Sequence, residues 1–329
     1  MAISIDDIKK LRAMTGAGLA DVKKALTEAE GDFDKAKELL RERGLAIAAK
    51  RSDRETSNGC VLVKAADGFA AMIALKCETD FVANGADFIA LTQSILDAAI
   101  ANKCKDIEAV KALDINGQSA QEAVTQRSGI TGEKMELDGY LTLEGENIEI
   151  YNHMAKNTLC TMVQTNKPAA EQGHLVAMQV AAMKPVALDE KSVDPKIVEE
   201  EYNVAVEKSK QEQVQKAVEA ALKKAGINPA HVDSEEHMES NMGKGWITAE
   251  DVAKAKEIIA TVSAEKAASL NMNMIENIAK GRVNKFYKES CLLNQEFIQD
   301  SKMSVAQYLQ AADKELTVVN FKRFTLVAD

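Results

Sequence analysis

Residues 60–75 read Cys60-Val-Leu-Val-Lys-Ala-Ala-Asp-Gly-Phe-Ala-Ala-Met-Ile-Ala-Leu75. Two apolar runs flank the dipeptide Asp67-Gly68, and an Asp-Gly pair in this position is a strong signal for a tight β-hairpin. An amphipathic helix is predicted next, because apolar side chains recur with helical spacing at Phe88, Leu91, Ile95, Leu96 and Ala99. The segment therefore predicts a hairpin followed by a helix that packs on it.

The same pattern returns further along the chain. Residues 147–151 and 158–163 are short apolar runs joined by a turn, and a helix is predicted from about 170 to 183. Two successive units of this kind suggest an internal duplication. The predicted fold class is therefore α+β, with a duplicated hairpin-plus-helix core.

Residues 1–53 are predicted to form a first domain of three short helices. Ser4 is placed to cap the first helix, and Thr15-Gly-Ala-Gly18 breaks it. Gly44 is predicted to end the third helix, since glycine adopts the left-handed conformation that closes many helices. Residues 51–58 show no apolar period and are predicted to be a linker.

The rest of the chain is predicted to form two α+β subdomains, 54–140 and 141–329. A charged, alanine-rich insertion, 194–288, interrupts the second and is predicted to be a helical hairpin or coiled coil. Its first helix begins at Asp194-Pro195, a capping residue followed by proline at the first helical position. Strand character returns over residues 316–327, after a short helix.

Composition argues against several classes of protein. The chain has 329 residues and a formal net charge of −10, whereas binding to nucleic-acid phosphates needs clustered Lys and Arg, so no direct nucleic-acid partner is expected. No apolar stretch approaches the ~20 residues of a bilayer span, and no secretory signal is visible. We expect a cytoplasmic protein without membrane contact, whose five dispersed cysteines are reduced thiols.

Recognisable catalytic chemistry is missing from the sequence. Gly16-Ala-Gly18 and Gly243-Lys-Gly245 lack the spacing of phosphate-binding loops, and the four histidines lack zinc-ligand spacing. No cofactor and no metal ion are therefore expected. A thiol enzyme using Cys77 beside Glu78 is one alternative, but the sequence offers no base at a suitable spacing, and a buried core cysteine is favoured.

The segment Cys77-Glu-Thr-Asp-Phe-Val-Ala-Asn84 follows the first predicted hairpin and places Asp80 next to Phe81. The residues alone favour a simple interpretation, in which Thr79 or Asp80 caps a helical turn and Phe81 packs back on the core. The other interpretation is that the acidic and aromatic side chains protrude and meet a partner.

Four motifs resemble the elongation factor Ts family. Thr79-Asp-Phe-Val-Ala83 resembles its signature loop, and Leu11-Arg-Ala-Met-Thr-Gly-Ala-Gly-Leu-Ala-Asp-Val-Lys-Lys-Ala-Leu26 resembles its amino-terminal signature. His174-Leu-Val-Ala-Met-Gln-Val-Ala-Ala-Met-Lys-Pro185 and Gly281-Arg-Val-Asn-Lys-Phe286 resemble later blocks. The resemblance implies a ubiquitin-associated-like fold for residues 1–53. It also implies a guanine-nucleotide exchange factor that has no catalytic site and whose partner is elongation factor Tu.

The resemblance also implies which residues meet the partner. The signature loop would enter the GTPase near its nucleotide-bound Mg²⁺, where Asp80 and Phe81 would act while Thr79 and Val82 fix the loop. The first domain and the second half of the body would contact other parts of the partner. The residues implied for those contacts are Leu11, Leu19 and Ala20 in the first domain and His153 in the second half. A structural role for His153 is an equal alternative.

Two features depart from the family pattern. The helical region between Glu200 and Ile278 is longer than the coiled coil of many members, and an extra small subdomain around 229–246 is one interpretation. Dimerisation, a partner contact and a purely structural role are all open for it. The chain stops at Asp329 soon after its last strand, so the carboxy-terminal module of some relatives is expected to be missing.

Two further points stay open on the sequence. The three-helix module could instead serve an adaptor that holds a peptide or a ubiquitin-like partner. The chain could also act as a homodimer or as a monomer.

Overall fold

The computed structural model describes residues 3–326 of the chain. It divides into two compact units, Met1–Leu188 with Glu296–Asp329, and Asp189–Gln295. The predicted mixed α+β class is confirmed, because helices at the amino terminus precede small antiparallel sheets interleaved with helices. The end of the last predicted strand, Val327, lies outside the described residues.

The first unit begins with three helices, α1 (Ile5–Thr15), α2 (Leu19–Glu28) and α3 (Phe33–Ala49). Ser4 caps α1 as predicted, since its Oγ accepts a hydrogen bond from the Asp7 backbone N–H at 3.0 Å and the Asp7 carboxylate accepts one from the Ser4 N–H. The helices enclose a small apolar core, whose main members are Leu11, Val22, Ala25, Leu26 and Ala36. A ubiquitin-associated-like fold for this module stays a prediction.

The first sheet contains the predicted hairpin and one strand that the sequence analysis missed. Its antiparallel strands are β1 (Asn58–Ala66), β2 (Phe69–Cys77) and β3 (Met135–Glu144), in the order β1-β2-β3. Asp67 and Gly68 form the turn between β1 and β2 with φ values of 49° and 71°, and two positive φ angles are what a type I′ hairpin turn requires. The predicted subdomain boundary at 140 falls inside β3.

Four helices connect β2 to β3: α4 (Asp80–Ala83), α5 (Ala86–Ala101), α6 (Ile107–Lys111) and α7 (Ala120–Thr131). One face of β2 shares an apolar core with these helices, and its side chains there are Phe69, Ala71, Ile73, Leu75 and Cys77. The other face packs on a second sheet through Ala70, Met72 and Ala74. Burial on both faces explains why β2 reads as an almost continuous apolar run.

Gly44 does not end the third helix, so that prediction is wrong. Helix α3 continues through it to Ala49, and Gly44 lies against Gly129 of α7. A Cβ atom built on Gly129 would lie only 2.2 Å from the Cα atom of Gly44. The sequence interpretation failed because glycine has two uses, ending a helix and allowing two backbones to approach closely, and only the packing distinguishes them.

The second half of the first unit starts with another hairpin and helix. Strands β4 (Ile148–Asn152) and β5 (Leu159–Thr165) are antiparallel, and helix α8 (Ala170–Met183) follows them. The elements agree with the predicted pattern in type and in order. The two sheets face each other across a core that includes Met72 of the first sheet and Met162 of the second.

The second unit contains more than a helical hairpin. Its helices are α9 (Pro195–Lys224), α10 (Glu235–Gly243), α11 (Ala249–Ala268) and α12 (Met272–Ser290). Helix α9 packs against both α11 and α12. A separate apolar cluster surrounds α10, with Leu222, Ile227, Val232, Met238 and Ile247. Within residues 3–326, no helix combines the length and the apolar character that crossing a bilayer requires.

The first unit resumes with a short hairpin, β6 (Glu296–Phe297) and β7 (Asp300–Ser304), then α13 (Val305–Ala312) and β8 (Val318–Thr325). Strand β8 pairs with β5, which gives the second sheet the order β4-β5-β8. In each half, a later antiparallel strand thus joins the second strand of a hairpin. The two halves share strand order and direction, which an internal duplication would produce.

Candidate functional site

The segment after β2 forms a one-turn helix rather than an irregular loop. Thr79 is the N-cap of α4, and its Oγ1 accepts a hydrogen bond from the Val82 N–H at 3.4 Å. The Asn84 side-chain amide donates to the Asp80 carbonyl oxygen at 2.8 Å, which closes the far end of the turn. We call residues 79–84 the Phe81 turn.

Phe81 protrudes from this turn. Its side chain is 88% exposed, whereas Phe88 on the next helix is fully buried. Asp80 is exposed as well, while Val82 packs against the core and Ala83 is buried. The interpretation in which Phe81 packs back on its own domain is therefore wrong. Aromatic side chains, Phe included, are enriched in protein–protein interfaces, so an exposed phenyl ring on a hydrogen-bonded turn is a candidate contact for a partner.

Side chains from a distant turn hold the base of the Phe81 turn. Both carboxylate oxygens of Glu133 accept hydrogen bonds from Thr79, at 3.0 Å from its backbone N–H and at 2.6 Å from its hydroxyl. Glu78 accepts a hydrogen bond from the Lys134 N–H at 2.6 Å and forms an ion pair with Arg54 at 2.9 Å. Sequence analysis missed these roles of Glu133 and Glu78, because their partners lie 24 to 56 positions away along the chain and no local pattern marks them.

The pKa of Glu78 is lowered. The largest cause is the backbone hydrogen bond from Lys134, and the hydrogen bond and charge of Arg54 and the charge of Arg51 add to it, while burial acts in the opposite direction. These interactions favour the ionised carboxylate. Glu78 therefore contributes stability that is fully present above its unfolded-state pKa and is lost as the pH falls through its lower folded-state pKa.

Glu78→Gln tests this linkage. We expect the free energy of unfolding to fall by about 1 kcal/mol at neutral pH, because the amide keeps the shape but loses the charge that Arg54 faces. The difference from the unmodified protein should shrink as the pH falls below the unfolded-state pKa of the carboxyl, and it should disappear once the pH has passed the lowered folded-state pKa. Urea denaturation across this pH range measures both values. The control Glu108→Gln, on an exposed ion pair with Lys111, should change little, and an equal loss for Glu78→Gln at every pH would contradict the assignment.

Cys77 does not form an enzymatic thiolate. The side chain is fully buried at the end of β2, and its thiol donates a hydrogen bond to the Thr79 carbonyl oxygen. Burial, followed by the negative charge of Glu133, raises the pKa of the thiol to about 12. A neutral, buried thiol is a poor nucleophile. Among residues 3–326, no three His, Cys, Asp or Glu side chains are grouped so that they could hold a metal ion.

The three residues implied in the first domain differ in their exposure. Leu19, the first residue of α2, is 58% exposed, and Ala20 is exposed beside it. Leu11 is fully buried among the three helices. Its side chain therefore offers no surface to a partner, and it supports α2 from within. Met14 is also exposed, and sequence analysis did not single it out.

His153 lies in a short 3₁₀ turn between β4 and β5 and is partly buried. Its Nδ1 is 3.2 Å from the Tyr151 hydroxyl, and the Tyr151 ring also makes an edge contact with His174. The next residue, Met154, is 65% exposed at the tip of the turn. His153 thus has a structural partner and an exposed neighbour, so both interpretations of it remain.

Comparisons with known proteins agree with the signature motifs. The family model described as elongation factor TS matches residues 78–328, a range that begins directly before the Phe81 turn. The elongation factor Ts of Bacteroides fragilis strain YCH46 is 67% identical over 330 residues, and that of Bacteroides thetaiotaomicron is 65% identical over 330 residues. The elongation factor Ts of Porphyromonas gingivalis strain W83 is 41% identical over 331 residues. Each comparison covers 100% of both chains, so the long helical insertion has a counterpart in these relatives.

Proposed function

The chain belongs to the elongation factor Ts family, and on that basis we propose that Asp80 and Phe81 are the side chains that act on the partner's nucleotide site. The family consists of the nucleotide exchange factors for elongation factor Tu in translation elongation. The chain is therefore an exchange factor rather than an enzyme with its own catalytic site. Membership also places it among the cytoplasmic translation factors.

The exposure of Phe81 is the observation that carries the proposal. A phenyl ring that is 88% exposed on a capped helical turn can enter another protein without first leaving its own core. The backbone that carries it is already fixed by hydrogen bonds at both ends. Little conformational freedom is therefore lost when the ring binds, which favours affinity.

The neighbouring carboxylate supplies the second part of the mechanism. Mg²⁺ requires near-ideal octahedral oxygen ligation and joins a GTPase to the phosphates of its nucleotide. The aromatic side chain would displace the part of the GTPase beside the nucleotide site, and the carboxylate would disturb the Mg²⁺ ligands. Both effects would weaken GDP binding. By linkage, the factor must then bind the nucleotide-free GTPase more tightly than the GDP-bound GTPase, by the same ratio by which it weakens GDP binding. Exchange is accelerated because product release is easier, and no bond is made or broken.

Asp80→Asn tests the role of the charge. We expect GDP release from elongation factor Tu to slow about tenfold at saturating factor and millimolar Mg²⁺, which corresponds to about 1.4 kcal/mol. The defect should shrink when the Mg²⁺ is chelated, because the carboxylate is proposed to act on the metal's ligands. Stopped-flow measurements with fluorescently labelled GDP give both rates.

The matched control is Asp67→Asn, in the turn at the opposite end of β2. Asn-Gly suits a type I′ turn as well as Asp-Gly does, so this variant should exchange nucleotide at the unmodified rate. A slow Asp80→Asn variant whose defect is the same with and without Mg²⁺ would refute the proposed action on the metal site.

The remaining contacts are proposals of the same kind. Leu19 and Ala20 would lie against the GTPase domain, with Leu11 supporting them from the core of the three-helix module. His153, with the exposed Met154 beside it, would contact another domain of the partner. For the helical insertion, a homodimer contact and a partner contact both remain proposals. Light scattering after size-exclusion chromatography tests the homodimer contact, because it gives the mass of the factor alone and in its complex with elongation factor Tu.

A further inference from the structure

We propose that Glu133 is the positioning residue of the Phe81 turn, and that α7 with the turn after it holds this turn and the three-helix module in one fixed arrangement. The inference rests on the proposed role of Phe81, because it concerns how that side chain is held. It assigns to Arg127, Gly129 and Glu133 a function that no local sequence motif indicates.

The first observation is the bidentate contact between Glu133 and Thr79. One carboxylate oxygen accepts from the Thr79 N–H at 3.0 Å and the other from its hydroxyl at 2.6 Å. Thr79 is also the N-cap of α4, which has only four residues. A helix of one turn has no stability of its own, so the direction of its cap sets the direction of Phe81. Glu133 fixes that cap at two atoms.

The second observation concerns the other end of the same segment. Arg127 of α7 donates to the carboxylate of Asp87 at 3.0 Å, in the first turn of α5. The Arg127 side chain is only 20% exposed, although that of Asp87 is 75% exposed. Helix α7 and its following turn therefore contact the segment 79–87 both before and after Phe81.

The third observation places the three-helix module on the same helix. Gly129 of α7 is in backbone contact with Gly44 of α3, and Arg41 of α3 pairs with Glu122 at 3.3 Å. A Cβ atom built on Gly16, in the turn that precedes α2, would lie 3.7 Å from Nη1 of Arg127. The surface that carries Leu19 and the turn that carries Phe81 are thus both fixed to α7. Two contact sites held at a fixed separation bind one partner with less loss of freedom than two mobile sites.

The experiment begins with four single variants of the full-length chain in the labelled-GDP assay. Glu133→Ala removes both acceptors, and Thr79→Val removes the hydroxyl that meets one of them. Glu133→Gln retains both contacts, because its amide oxygen accepts from the Thr79 N–H and its amide N–H donates to the hydroxyl oxygen. Gln121→Ala, at an exposed position on the same helix, is the matched control.

We expect Glu133→Ala to lower the exchange rate at saturating factor about tenfold. The concentration of factor that gives half of the maximal rate should change less than about threefold. Glu133→Gln should recover most of the rate, and Gln121→Ala should match the unmodified protein. The combined loss in the Glu133→Ala/Thr79→Val double variant should be smaller than the product of the two single losses, because the hydrogen bond between the Thr79 hydroxyl and Glu133 is absent in both single variants. Hydrogen–deuterium exchange should show faster exchange of the amides of residues 79–85 in Glu133→Ala and unchanged exchange in Gln121→Ala.

The outcomes separate this inference from the proposed function when Phe81→Ala is measured in the same series. A slow Phe81→Ala variant beside Glu133→Ala and Thr79→Val variants of unmodified rate overturns the role of Glu133 and leaves the role of Phe81 intact. An unmodified rate for Phe81→Ala overturns the proposed function itself. If Glu133→Ala fails to fold, Thr79→Val carries the test, and an unmodified rate together with unchanged amide exchange of residues 79–85 in Thr79→Val would overturn the inference.

Discussion

Phe81→Ala should slow the release of GDP from elongation factor Tu by about 100-fold at equal concentrations of factor, equivalent to about 2.7 kcal/mol. An aromatic side chain that becomes buried in a partner contributes on this scale, because it supplies a large apolar area and loses little freedom on binding. The folded chain should be almost unaffected, with a change in unfolding free energy within about 0.5 kcal/mol, since the ring is 88% exposed. Stopped-flow exchange and urea denaturation measure the two effects.

A matched control separates the position of the ring from its mere exposure. Val186, after α8, is another large apolar side chain that is mostly exposed, at 64%. Val186→Ala should leave the exchange rate within about twofold of the unmodified protein, a difference of less than about 0.5 kcal/mol. If Phe81→Ala exchanged nucleotide as fast as the unmodified factor while remaining folded, the proposed mechanism would fail.

Gly129→Ala should loosen the attachment of the three-helix module. The new methyl group would lie 2.2 Å from the Gly44 Cα and 2.9 Å from its carbonyl oxygen, so one helix must move away from the other. Overpacking of this kind costs about 1–3 kcal/mol, more than the gain of up to about 1 kcal/mol from replacing glycine in a helix. We expect lower thermal stability and faster proteolytic cleavage in the 51–58 segment. The rate of nucleotide exchange should fall as well, because the part of the three-helix module that carries Leu19 is no longer fixed to α7.

The structure supplies two controls for this substitution. A Cβ atom on Gly44 would lie 3.6 Å from the Gly129 Cα, an ordinary contact, and one on Gly281 of α12 would meet no atom within 4 Å. Gly44→Ala and Gly281→Ala should therefore be neutral or stabilising by up to about 1 kcal/mol. Equal effects of Gly44→Ala and Gly129→Ala would show that the two helices do not meet as described.

Local chemistry in the sequence determined the elements and several of their ends. Asp67-Gly68 fixed the first hairpin, because both residues tolerate the positive φ angles that its turn requires. Ser4 determined the start of α1 through its capping hydrogen bonds. The same kind of information identified the Phe81 turn as a segment of interest, because an acidic and an aromatic residue follow a buried strand there.

Only the tertiary structure decided what the site presents and what holds it. Phe81 and Phe88 are seven positions apart and chemically identical, yet one is exposed and the other fully buried, because the difference depends on which side of α4 and α5 meets the sheet. Glu133 reaches Thr79 across 54 residues, and Gly44 serves a helix contact instead of a helix end. Periodicity and capping describe neighbours along the chain, whereas these contacts join segments that only the packing of β3 and α7 brings together.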